Sequence, residues 1–117
     1  MLNSYSIRNW LIGALLLAVC GVFTGCGPVQ ASVAIADSEK ALESADAAQA
    51  ETLAPYPFYR AEAFLFMAKT KAGFAEYEIA REYAIRAKDD AVAAEEKARR
   101  RYRLMKLREK RIGGGVQ

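Results

Sequence analysis

Histidine is absent from this 117-residue chain, and cysteine occurs only at Cys20 and Cys26. Without imidazole, the commonest general base near neutral pH and the commonest metal ligand are both missing. Proline occurs three times, at Pro28, Pro55 and Pro57, and neither proline nor glycine falls between Phe74 and Ile112. That gap predicts one uninterrupted helix over 74–112, of about 38 residues and roughly 57 Å. β-Branched residues are scarce after Cys26 while Ala, Glu, Lys and Arg recur, so an all-α fold is expected. Ser32, Ser38 and Ser44 have no evident base partner. Glu39/Glu43 and Glu78/Glu82 are i,i+4 pairs on faces expected to meet solvent, where no pocket tunes their pKa values. Asp89-Asp90 and Glu95-Glu96 point in different directions along a helix and make no ligand set. No catalytic residue, metal or cofactor is expected, and the chain is not expected to be an enzyme.

What the N-terminus does contain is a targeting pattern. Arg8 supplies a positive charge, and the fourteen apolar residues Trp10–Phe23 follow it. As a helix they reach about 21 Å, short of a hydrocarbon core of about 30 Å. Phe23-Thr24-Gly25-Cys26 then closes the run with small residues ahead of a cysteine. This stretch resembles the lipobox of bacterial lipoproteins, with Phe23 where that family usually has Leu. The resemblance implies a signal peptide over 1–25, cleavage before Cys26, and a Cys26 thiol carrying a diacylglyceryl group, with acylation of the new amine to follow. An uncleaved, membrane-anchored coiled-coil protein is the alternative. Cleavage would remove Cys20 and leave 92 residues, enough for one small domain with neither a free thiol nor a disulfide.

Three helices are expected in that remainder, packed as an antiparallel hairpin bundle with a long, overhanging C-terminal helix. Gly27–Gln30 begins a tether over 26–31, and Ser32 is the expected N-cap of a helix over 32–53. Ala54-Pro55-Tyr56-Pro57 interrupts it; a second helix over 57–72 starts with Pro57 in its first turn and ends at Gly73 as a left-handed C′ residue. Gly113-Gly114-Gly115 stops the third, and 113–117 is expected to be a flexible tail. Tyr77, Ala80, Ala84, Ala87, Ala91, Ala94 and Ala98 follow one another at alternating spacings of three and four, a heptad seam. Ala34, Ala41, Ala45 and Ala48, beside Ile35 and Leu42, form the face expected to meet it. The seam could equally pair between chains, so a homo-oligomer is possible. Phe58, Tyr59, Phe64, Phe66, Met67 and Phe74 are expected in the core, because aromatic residues at helical spacing usually pack inward. A partner-binding groove is the alternative.

Tyr77, Ala80, Ala84 and Ala87 also reproduce the spacing after the turn of a tetratricopeptide hairpin, although Gly73 stands two residues too early. That resemblance implies a protein-binding module as a second functional reading, but a single unit cannot stack as an array does. The Ala-Pro-Tyr break, the Ala72–Glu78 turn and the lipobox together resemble small alanine-rich lipoproteins of a domain-of-unknown-function family found near OmpA-type envelope proteins.

Charge is uneven. Residues 26–96 carry seven basic and thirteen acidic side chains, whereas 97–111 carry nine basic and one acidic. The basic set is Lys97, Arg99, Arg100, Arg101, Arg103, Lys106, Arg108, Lys110 and Arg111. Cations near a helix C-terminus are favoured by the macrodipole, but nine exceed what that requires. They are read as a tip for an anionic surface, either an envelope protein or peptidoglycan. Nucleic acid is not expected, since the lipobox takes the protein out of that compartment. The absence of Asp after Cys26 implies, by resemblance to lipoprotein sorting, a lipid anchor on the periplasmic face of the outer membrane, with the inner membrane as the alternative. The expected role is structural, as an adaptor of the cell envelope.

Overall fold

Helix propensity prevails further along the chain than the prolines and glycines suggest. The computed structural model describes residues 3–23 and 26–115, with side chains at 5–17 and 26–115. Among them are five helices and no strand: α1 (Asn3–Phe23), α2 (Cys26–Ala47), α3 (Ala50–Leu53), α4 (Pro55–Gly73) and α5 (Tyr77–Gly113). Thr24 and Gly25, which carry the middle of the lipobox, lie outside the described residues, as do Val116 and Gln117 of the expected tail.

Several boundaries differ from expectation, each for a local reason. The expected tether over 26–31 is the first turn and a half of α2. Pro28 sits in that first turn, where a backbone N–H has no helical acceptor, so it does not delay the helix. Ser32 is therefore not an N-cap; its hydroxyl donates back to the Pro28 carbonyl at 2.8 Å, inside the helix. α2 ends at Ala47, not near 53, because Gln49 adopts φ 60° and turns the chain. That turn folds Ala50 and Ala54 onto Ala94, Ala98 and Phe58, closing the end of the bundle with a small apolar cluster. α4 starts at Pro55, with both prolines in its first turns.

The α4–α5 turn corrects a further expectation. Gly73 belongs to α4 and no described glycine has positive φ; the left-handed residue is Ala75, at φ 60°. Ala75 N–H donates to Ala72 O and Glu76 N–H to Lys71 O, while Lys71 Nζ pairs with Glu76 across the turn at 2.9 Å. Those bonds hold a non-glycine residue in a conformation that costs an L-amino acid about 1–2 kcal/mol. α5 then starts at Tyr77 instead of Phe74. It takes in Gly113, and Gly114 caps it with a right-handed backbone, so the glycines extend the helix by a residue before ending it.

The directions of the helices follow from cross-contacts. Gly27 lies against Tyr77, Asp37 pairs with Lys88, and the Leu53 carbonyl accepts from Arg101, so residue numbers rise together and α2 runs parallel to α5. Arg60 reaches Asp90, Phe64 stacks on Tyr83 at 6.0 Å, and Lys71 meets Glu76, so α4 runs antiparallel to both. Short connections between successive helices enforce this up-down-up order. The expected seam is correct: Ala80, Ala84, Ala87, Ala91, Ala94 and Ala98 are buried, and Tyr77 is half-buried. On α2 the innermost column is Ala31, Ser38 and Ala45, with Ala34, Ile35, Ala41, Leu42 and Ala48 half-buried on its flanks. Apart from Pro57, twelve of the fourteen buried hydrophobic side chains described are alanine, so close backbone approach, more than buried area, holds the helices.

The extended shape, 104 × 27 × 13 Å, is not that of a clean three-helix bundle. Its long axis is nearly twice the length of α5, about 55 Å, so α1 extends beyond the bundle's end instead of lying on its flank. Among the described residues, no helix is long and apolar enough to cross a membrane.

Candidate functional site

The two sequence-predicted sites sit at opposite ends of the bundle. Cys26 is the first residue of α2 and is exposed, level with the start of α5. The basic residues lie at the far end of α5, and the parallel course of α2 and α5 is what separates them.

Cover on α5 reaches Ala98, the end of the heptad seam. Ala98 is the last buried residue, and every described side chain from Arg99 to Gly115 is exposed. The uncovered stretch 99–113 is about 22 Å of free helix. The nine basic residues of 97–111 do not form a single class. Arg101 Nη1 donates to Leu53 O at 2.6 Å, satisfying a carbonyl at the end of α3. Arg99 pairs with Glu95, and Lys106 with Glu109, whose hydrogen bond raises the Lys106 pKa above its ordinary value. Lys97 and Arg100 line a cleft with Tyr56, Arg60 and Asp90. Arg103, Arg108, Lys110 and Arg111 enter no ion pair among the described residues.

One polar contact inside the bundle had no signal in the sequence. Asp90 is the only buried acidic residue described, flanking the alanine seam, and Arg60 of α4 grips it with two donors, Nε to Oδ2 at 2.6 Å and Nη2 to Oδ1. The carboxylate raises the Arg60 pKa further above its ordinary value, and the guanidinium also lies 5.3 Å from the Tyr56 ring. A planar fork on a carboxylate fixes the register of α4 on α5 in a way that alanine cannot. The partners are thirty residues apart, and no local pattern pairs them.

The aromatic expectation is largely overturned. Phe58 is buried and Phe64 half-buried, but Tyr59, Phe66, Met67 and Phe74 are exposed, Phe66 by 69% and Phe74 by 73%. Tyr56, Tyr59, Ala63, Phe66, Met67 and Thr70 fall within about a third of the circumference of α4, opposite the buried Phe58, Ala61, Leu65 and Ala68. With α2 and α5 both on one side, most of this far side faces solvent. Tyr59 donates to Glu51 at 3.0 Å, and that bond raises its pKa above the usual phenol value. Among the described residues no group of three or more His, Cys, Asp or Glu is placed to hold a metal ion.

Residues 33–106 match the family described as Domain of unknown function (DUF4398). The match covers more than half of the chain, which therefore belongs to that family. No curated protein and no solved structure matches it.

Proposed function

We propose that this DUF4398 protein is a lipid-anchored adaptor of the bacterial envelope, holding a basic helix tip away from the membrane that carries it. Cys26 is the anchor, and α1 is the leader removed when it is lipidated. The observation that carries the reading is the polarity of the bundle: α2 starts at Cys26 and runs parallel to α5, whose uncovered basic end lies at the opposite pole. Such a tip meets an anionic surface, peptidoglycan or an acidic envelope protein, on the periplasmic side of the outer membrane. α1 supports the leader role, because its described side chains from Tyr5 to Leu17 are all exposed, an apolar helix with no cover of its own. Two or three acyl chains at about 0.8 kcal/mol per buried CH₂ anchor a protein durably. No enzymatic chemistry enters this reading.

Two measurements test it. Cys26→Ser is expected to stop metabolic incorporation of a fatty-acid analogue, and continued labelling of that variant would remove the anchor. Truncation after Arg101 is expected to abolish binding to purified peptidoglycan or envelope extract, while wild-type binding weakens steeply with salt because exposed charges are screened within about 8–10 Å. Salt-insensitive binding, or binding retained by the truncated chain, counts against the tip. A second reading, a module that captures a partner helix, draws support from the exposed aromatic side of α4.

A further inference from the structure

The free end of α5 has an ordered face. Arg100, Arg103, Leu104, Leu107, Arg108 and Arg111 fall at i, i+3, i+4, i+7, i+8 and i+11, spacing that places them on one side of a helix. Leu104 and Leu107 are 53% and 61% exposed at its centre, and the four arginines frame them. Solvation alone explains arginines but not two leucines centred among them. α5 is continuous to Gly113, so this face cannot fold back onto its own bundle.

The counterpart lies in the groove between α2 and α4. Its floor is Leu42, Phe58 and Leu65, and its volume is about 420 Å³. Its rim consists of Glu39, Glu43, Asp46, Glu51 and Glu62, with no basic residue among the lining side chains. Lys69 pairs with Glu39 and Tyr59 donates to Glu51, while Glu43, Asp46 and Glu62 enter no ion pair among the described residues. The floor spans Phe58 to Leu65, two turns of α4 and about 10 Å, against the two turns from Leu104 to Arg111.

We propose that the occupant of this groove is the α5 overhang of a second copy of the chain. Leu104 and Leu107 rest on Leu42, Phe58 and Leu65, and Arg100, Arg103, Arg108 and Arg111 pair with the carboxylates of the rim. The argument is charge and shape complementarity. An apolar pair framed by four guanidiniums meets an apolar floor framed by five carboxylates, and the planar fork of arginine suits a carboxylate in two-point contact. Every copy carries both halves, so the chain is its own partner. The inference rests on reading the overhang as a docking helix, and it names the anionic surface that the helix meets.

The test is sedimentation of the full chain at micromolar concentration in a density-matched non-ionic detergent. The wild type is expected to sediment as a dimer or larger at low salt and to dissociate as salt rises. Arg103→Glu/Arg108→Glu and Glu43→Lys/Glu62→Lys, all at exposed positions, are each expected to associate at least about tenfold more weakly with unchanged helical circular dichroism. Mixing the two variants restores both complementary pairs and should restore the assembly. A wild type that stays monomeric overturns the proposal, as does a mixture that fails to associate. Association that survives both reversals also overturns it and moves the interface to the aromatic side of α4. A monomeric chain that still binds peptidoglycan through its tip sinks self-association alone, whereas self-association without any peptidoglycan binding sinks only the cell-wall contact.

Discussion

Residues 77–98 and 99–113 of α5 are one unbroken helix, yet they obey different rules. In the first stretch the seam column Tyr77, Ala84, Ala91 and Ala98 is mostly alanine and closely packed; in the second the same heptad column continues as Met105 and Ile112, both exposed. The companion column passes from Ala80, Ala87 and Ala94 to Arg101 and Arg108. Alanine appears where another backbone comes close, and larger or charged side chains appear where none does. Side-chain size along the seam therefore reports the presence of a neighbour, and the change falls at Ala98, beside the end of α3.

The comparison can be broken most forcefully in its covered half. Ala87→Leu inserts a branched side chain between α5 and its neighbours and is expected to cost about 1–3 kcal/mol, read as a lower thermal midpoint. A leucine on the free half outside the proposed docking face, at Lys110→Leu, should leave the midpoint unchanged. Equal shifts at both positions would mean that this side of the overhang is packed in solution.

A smaller effect, of opposite sign, belongs at the turn that begins the covered half. Ala75→Gly relieves the left-handed conformation and is expected to add about 1 kcal/mol of stability. Gly73→Ala is also expected to stabilise, by about 0.5–1 kcal/mol, since Gly73 is helical and a Cβ there meets nothing within 4 Å. Destabilisation by Gly73→Ala would restore Gly73 as the turning residue. The smallest effect is spectroscopic. Tyr59 should ionise above the usual phenol value, and Glu51→Gln should bring it down, followed by alkaline absorbance titration. Because the folded pKa is the raised one, the contribution of this bond is present below about pH 10 and is lost as pH rises through the folded value.

The seam was legible in the sequence because a heptad needs only one residue type at a fixed spacing, and burial of Ala80 through Ala98 follows from it. The overhang was legible because helix lengths are additive: the expected third helix outruns the two shorter ones, and Ala98 is its last buried residue. The aromatics of α4 were misread for a reason of the same kind. Phe58 and Phe66 have equal hydrophobicity, but α2 and α5 lie on the same side of α4, and only that side is core. A residue's inwardness depends on how many neighbours surround its helix, a number absent from its periodicity. The acidic groove was invisible likewise, since Glu43 and Glu62 come together only when α2 and α4 pair.

By itself the sequence determined the all-helical character, the seam of α5, the polarity of charge and the position of Cys26, because propensity, period and composition act through neighbours along the chain. Tertiary structure alone decided the rest. It chose Ala75 over Gly73 as the left-handed residue, because bonds across the turn outweigh local preference. It joined Arg60 to Asp90 and left most of the aromatic side of α4 exposed. Each of these depends on which helix lies beside which, and contacts between residues tens of positions apart exist only once the bundle has closed.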